Sequence, residues 1–436
     1  TGRGRSSGRG RGRGRGRTGG GGCGGGGRDG GGDHFVKTLL NPCANYTKTG
    51  NCHHGNNCRF AHVVKLHGII EASSLVSDNN QSNDYNNNNR YNQTMAAVSS
   101  VAIWETGGAI KLFTGSLDGF WRLWNFVPNA GFVKEFEHNM GGPVHSLVVA
   151  SNFLFCGFES VSPILPEINV GMVHAWNLAN PADPPLEFHM SPLAPYAHGQ
   201  GVTQLLVDGT KVVSGSKDGG IKLWSFDAAA NGFKLTQEFS GHAREVTGLA
   251  VADTVLWSSS IDGSIRIWDL MKGECQYLIT MAHAGATPLP PGSIPPQSPG
   301  HTHAVTNLVS FKSSNGIFIL SSSLDGDVKA WNGTTGQCVA SESNGEGVVT
   351  MSMGTDSTGK PLLLLGLESG SIMVRNLEPT PKIQQAFAPI LKLSQHITAG
   401  HSGAVKALAQ GSPGTFYSGG MDGQALVFEF TGDLGL

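Results

Sequence analysis

From Met95 to the end of the 436-residue chain, apolar positions recur in one pattern. A Val-x-x-(Leu, Val or Met) strand core occurs seven times, at Val98, Val144, Val202, Val246, Val305, Val348 and Val405. A second strand follows each, typically ending in small residues: Thr114-Gly115-Ser116, Val213-Ser214-Gly215-Ser216, Trp257-Ser258-Ser259-Ser260 and Tyr417-Ser418-Gly419-Gly420. Next comes an Asp-Gly turn, at Asp118, Asp218, Asp262, Asp325 and Asp422, and six residues after each Asp stands an aromatic: Trp124, Trp224, Trp268, Trp331 and Phe428. Asp-Gly between two apolar runs is hairpin chemistry, so the period predicts repeated antiparallel strands and an all-β body.

The repeats are unequal. Repeat two lacks the turn Asp and inserts a loop near residues 161–170, repeat six carries Glu368 and Val374 at the Asp and aromatic positions, and repeat five holds a proline-rich loop over 287–299. That loop is read as a solvated spacer. The pattern stops after the third strand of repeat seven, near Phe430. Its missing fourth strand is expected from before repeat one, either at 65–73 or at 90–94; the first alternates better. An Asn-rich stretch, eight Asn between 79 and 92, separates the two and reads as disordered.

Upstream the pattern changes. Cys43, Cys52, Cys58 and His62 stand as C-x8-C-x5-C-x3-H. Three thiolates and an imidazole satisfy tetrahedral zinc, and about thirty residues cannot build a core without it. Gly50 and Gly55 fall in the intervening loops, where tight turns are needed. The first 33 residues are nearly all Gly and Arg, with eight Arg against Asp29 and Asp33. With nothing apolar to bury, this tail is expected to be disordered and to bind RNA weakly through its guanidinium groups.

Charge sharpens the division. The net charge of −2 combines +6 from residues 1–33 and +3 from Lys37, Lys48 and Arg59, which leaves −11 on the rest. A basic front end on an acidic body points to a nucleic-acid partner for the front end alone. The other Cys, at 23, 156, 275 and 338, are scattered, which is no disulfide framework. No apolar run is long enough for a membrane helix, and no signal peptide is visible. An intracellular location, nuclear rather than cytoplasmic, is expected.

The repeats resemble the WD-repeat family over about 340 residues, with Gly241-His242 and Trp268-Asp269 framing the best copy, Gly300-His301 and Gly400-His401 opening two others, and His198 equivalent in the third. The resemblance implies seven four-stranded blades closed into a ring. It also implies structural networks in which His242, Asp262 and Trp268 meet a strand hydroxyl, as do the other turn Asp and Trp residues. Residues 36–62 resemble the CCCH finger family, including Lys37-Thr38-x-Leu40 and Cys58-Arg-Phe60-Ala61-His62. That resemblance implies single-stranded RNA held by Phe60 and His54 as stacking rings, with Lys37, Lys48 and Arg59 on phosphates and Tyr46 packed against the zinc core. The combination resembles a plant family of proteins that join one such finger to a WD-repeat propeller.

Enzyme motifs fail on inspection. Gly14-Arg-Gly16-Arg-Thr-Gly19 imitates a dinucleotide fingerprint inside low-complexity sequence, and Gly354 to Lys360 imitates a phosphate loop but ends in Pro361, without the hydroxyl that magnesium needs. No small-molecule substrate is expected. The predicted organisation is a tail at 1–33, a finger at 34–64, a linker with the Asn-rich stretch and a candidate closing strand at 65–94, and the propeller at 95–436. The predicted function is a non-enzymatic adaptor, with finger and tail on RNA and propeller on protein partners. The alternative is a protein-interaction scaffold, ubiquitin-ligase-related, whose finger binds protein. Against a ligase receptor, Trp268-Asp269 is followed by Leu270-Met271 rather than by x-Arg.

Overall fold

The computed structural model describes residues 40–77, 93–280, 300–379, 385–395, 399–432 and 434. The Arg/Gly tail, Lys37, the Asn-rich stretch and the proline-rich loop lie outside these residues. Everything described belongs to one compact unit, Thr38–Leu436, and no helix in it is long and apolar enough to cross a membrane.

Seven antiparallel four-stranded sheets make the blades. Blades one to six are each built from a continuous stretch, beginning with strands Val98–Thr106, Val144–Ala150, Val202–Asp208, Val246–Ala252, Val305–Ser313 and Val348–Thr355. Blade seven takes Val405–Gln410, Thr415–Gly420 and Gln424–Phe430 from the end of the chain and Val64–Glu71 from its beginning. The first strand of each blade meets the first strand of the next, and blade seven meets blade one, so the ring closes. The first of the two candidate segments is thus the closing strand. The second contributes Gln93–Met95, which pairs instead with Leu75–Ser77 in a separate two-stranded ribbon.

The period follows from how blades touch. The Val that opens each first strand is fully buried against the preceding blade. The small residues ending each second strand make room for it: a Cβ on Gly115 would lie 2.6 Å from Val144, and one on Gly419 2.6 Å from Val98. Hydroxyls stitch four seams, with Ser99, Thr203, Thr247 and Thr306 donating to the carbonyls of Val144, Val246, Val305 and Val348 in the next blade. At the seam between blades seven and one, Lys406 occupies that position, and no such bond forms.

Inside the blades the expected networks are present. The Trp268 Nε1–H donates to Ser258 Oγ at 2.8 Å, which also meets His242 Nε2 at 2.7 Å, while His242 Nδ1 lies 3.2 Å from Asp262. Trp224, Ser214 and His198 repeat this, as do Trp331, Ser321, His301 and Asp325. Asp218 sits 3.6 Å from His198. Burial raises its carboxyl, yet the His198 contact outweighs this and holds it at about 2. His401, Ser418 and Asp422 form the same set without an indole, because Phe428 has no N–H to donate. Ser258 is fully buried and shared by Trp268 and His242, so this Ser-His-Asp set is scaffolding with no access for a substrate.

Blade one differs. Asp118 pairs with Arg122 at 2.7 Å, and Arg122 also donates to the Ala72 carbonyl and to Ser74 Oγ. Asp118 accepts the Ser74 N–H at 2.7 Å. The pair therefore fastens the chain just beyond the closing strand to blade one, while Trp124 keeps its usual bond, to Thr114. In blade two, Trp176 occupies the aromatic position opposite Leu154, and the buried Cys156 stands where blades one, three, four, five and seven place the hydroxyl. Gly354 to Lys360 joins two strands of blade six as a hairpin loop in which Asp356 accepts the N–H groups of Thr358 and Lys360.

Replacing Ser258 with Ala leaves two buried ring nitrogens without their partner; we expect a loss of about 2 kcal/mol or more, read as a lower denaturant midpoint at unchanged slope. A second expectation concerns pH. His145 lies in a buried setting where desolvation, helped by Lys217, depresses it to about 4, against the opposing pull of Glu159. A histidine lowered on folding takes up its proton first in the unfolded chain, so its contribution is complete above pH ~6.5 and is lost as pH falls toward its folded value. Replacing His145 with Gln should flatten the decline in stability across that window, worth at most about 3 kcal/mol, in denaturant titrations at stepped pH.

Candidate metal centre and nucleic-acid surface

The finger is built from turns that deliver its four ligands. Between Cys43 and Cys52 the chain forms a short helix, Ala44–Thr49, begun by the Thr47 N–H donating to the Cys43 carbonyl at 2.8 Å. Gly50 ends it with φ of 75°, its N–H returning to the Tyr46 carbonyl. This left-handed cap is strained for a side-chain-bearing residue and natural for Gly. Between Cys52 and Cys58 a single tight turn, Gly55–Asn57, reverses the chain. Cys43 then donates to the Ala61 carbonyl, and Ala61 to the Asn41 carbonyl, which sets the first ligand beside the last.

The ligand atoms of Cys43, Cys52, Cys58 and His62 all lie within 4.8 Å of one another, a spread that one tetrahedral ion with bonds of about 2.0–2.3 Å can bridge. His62 Nε2 is buried with no hydrogen-bond partner among the described residues. A buried ring nitrogen left bare is costly, and a metal removes that cost. The sulfurs agree. The His54 backbone N–H, against burial, lowers Cys52 to about 7. Cys58 is drawn down by the Phe60 N–H, yet burial and the neighbouring Cys52 and Cys43 leave it raised. Crowded thiolates of this kind are what a dication neutralises. The site fits one structural zinc ion.

Around the centre the nucleic-acid residues take different places. Phe60 is 52% exposed, although it is a large apolar ring two residues from a ligand. His54, Arg59 and Lys48 are also exposed, Lys48 in the last turn of the helix. The His54 ring lies 5.5 Å from that of His53 and tilted to it. Tyr46 packs on the metal centre, stacked on the His62 ring at 4.5 Å and 11°.

Sequence reasoning missed how the finger joins the propeller. The Tyr46 hydroxyl donates to Thr431 Oγ1 at 3.0 Å, and the Thr431 N–H to the Val63 carbonyl. The Leu40 N–H donates to the Ile390 carbonyl at 2.6 Å, against the outer strand of blade six, Pro389–Leu393. Leu40 and Ala61 pack on the core that Val63 and Val64 share with Leu391, Phe428 and Phe430. The segment after His62 is therefore not a spacer: the closing strand begins at Val64.

Comparisons with known proteins agree with both parts. The family model "Zinc finger C-x8-C-x5-C-x3-H type (and similar)" matches residues 40–64, and "WD domain, G-beta repeat" matches 190–225, 233–269 and 295–332, within blades three to five. The chain thus carries a CCCH-type zinc finger and a WD-repeat propeller. It is similar to "Zinc finger CCCH domain-containing protein 17" of Oryza sativa subsp. japonica, 27% identical over 216 residues. That match covers 49% of this chain and 39% of the relative, well under two thirds of the relative's length. Among solved structures, the WD40 β-propeller domain of Doa1 matches with a TM-score of 0.55 at 16% identity, covering 77% of this chain and 93% of that one. The computationally designed Ika8 protein matches at 0.51 and 19%, covering 77% and 96%. These two likenesses concern the fold alone.

One zinc ion per full-length chain is expected by elemental analysis. Cys52→Ala, which deletes one of four ligands, should release it to a competing chelator at least about tenfold more readily.

Proposed function

We propose that the protein is an RNA-binding adaptor in which the finger holds single-stranded RNA and the propeller recruits protein partners. A CCCH finger on a WD propeller supports a nucleic-acid-binding or protein-interaction adaptor in general. The observation favouring RNA is Phe60, an aromatic ring held in solvent beside the metal centre with the cation Arg59 next to it. Exposed rings flanked by cations are how unpaired bases are held, by stacking and by phosphate pairing. His54 offers a second, smaller ring, so one finger holds few bases.

For the propeller, Leu117, Leu324 and Met421 support partner recruitment. They occupy equivalent hairpin positions, their N–H groups donating to Ala97, Ala304 and Ala404, and they are 39%, 39% and 51% exposed on one face of the ring. Exposed apolar side chains favour protein contact, and Glu159, Lys217 and Glu368 at the equivalent positions of other blades set charge beside them.

The full chain is the right test object, because the finger packs on the propeller. With a short fluorescent single-stranded RNA at low salt, Phe60→Ala should weaken binding by about tenfold or more, as expected for one stacked base. Arg59→Ala should reduce the salt slope by roughly one phosphate. Zinc-loaded protein with no affinity for such RNA would reject the reading and favour a finger that binds protein.

A further inference from the structure

We infer that zinc occupancy controls the closure of blade seven: the metal-bound finger clamps the leading half of the closing strand, and loss of zinc releases that half. This inference does not depend on RNA binding.

The closing strand is held differently at its two ends. A register shift between Leu66 and Gly68 divides it. The trailing half, Gly68 to Glu71, runs into Ala72 and Ser74, which Arg122 and Asp118 tie to blade one. Ile70 and Ala72 also enter the core shared with Val98, Trp124 and Val427. The leading half pairs Val64, Lys65 and Leu66 with Phe430, Glu429 and Phe428, and its upstream anchor is the finger. Val64 follows the ligand His62 by two residues. His62 is stacked by Tyr46, which bonds to Thr431, and Thr431 bonds to Val63.

Metal is what makes this anchor rigid. The finger has one helix of six residues and one tight turn, too little structure to persist without its ion. Without zinc, Tyr46 and His62 lose their fixed positions. Thr431 then keeps its backbone bond to Val63 but loses the Tyr46 hydroxyl, Leu40 loses its hold on blade six, and the packing of Val63 and Val64 on Phe428 and Phe430 is left without its upstream anchor. The ring seam adds no hydroxyl bridge of its own, because Lys406 stands where four other seams carry one.

The test uses the full chain and amide hydrogen exchange, with zinc bound and after chelation. Amides of residues 64–66 and 428–430 should exchange about tenfold faster or more without zinc, while those of 68–71 and of Lys211–Ser216 keep their rates. Adding zinc back should restore protection. Unchanged protection at 64–66 in chelated protein whose finger amides exchange freely would overturn the inference. Linkage gives a second measurement, made on the loaded protein: if zinc binding closes the strand, a change that loosens the strand weakens zinc binding, by up to the same factor. Leu66→Ala and Val64→Ala should each lower zinc affinity at least about threefold in competition with a fluorescent chelator. Wild-type affinity in both variants would equally overturn it, even if the metal-free chain aggregates.

Discussion

Six blades are each made from one continuous stretch, but the seventh pairs strands from opposite ends of the chain. Val64–Glu71 lies antiparallel to Gln424–Phe430, and every blade depends on that pairing because a propeller has no other way to finish its ring. An open ring would leave Gln424–Phe430 as a bare edge and would uncover the apolar side chains between blades seven and one. Hydrogen bonds and burial at this one joint therefore hold the whole circle together, while each other seam needs only to join neighbours in sequence.

The finger shares in this joint. Because Val63 and Val64 enter the same core as Leu391, Phe428 and Phe430, the metal centre is continuous with the propeller instead of swinging on a tether. Phe60 and Arg59 are consequently presented at a fixed place beside blades six and seven. Any ligand held there would have a defined position relative to the propeller.

Much of this was legible in the sequence because it is periodic or local. Buried Val residues, the small residues facing them and the Asp-Gly hairpins recur for a packing reason, and metal spacing is local by nature. What stayed hidden depends on distant contacts or on a missing marker. Tyr46 meets Thr431 across 385 residues, and no local signal announces that contact. Trp176, opposite Leu154, carries no local signal, because repeat two lacks its turn Asp and the long loop of its hairpin breaks the spacing seen in the other blades. In blade one, Arg122 takes over the partnership of Asp118, and only the nearness of Ala72 and Ser74 explains why a long cation suits that place. The end of the metal pattern predicts a boundary at 64–65, and the strand starts one residue earlier, at Val64.

Borrowing a strand from the front of the chain also has a consequence in time. Glu71 and Gln424, bonded in the finished blade, are 353 residues apart. A ribosome adding about 5–20 residues per second releases the first roughly 20–70 seconds before the second exists. Throughout synthesis the closing strand is an apolar β-segment with no partner of its own, exposing Val64 and Ile70 to any passing edge. A cell making this protein has to keep that stretch from pairing elsewhere until the last blade emerges.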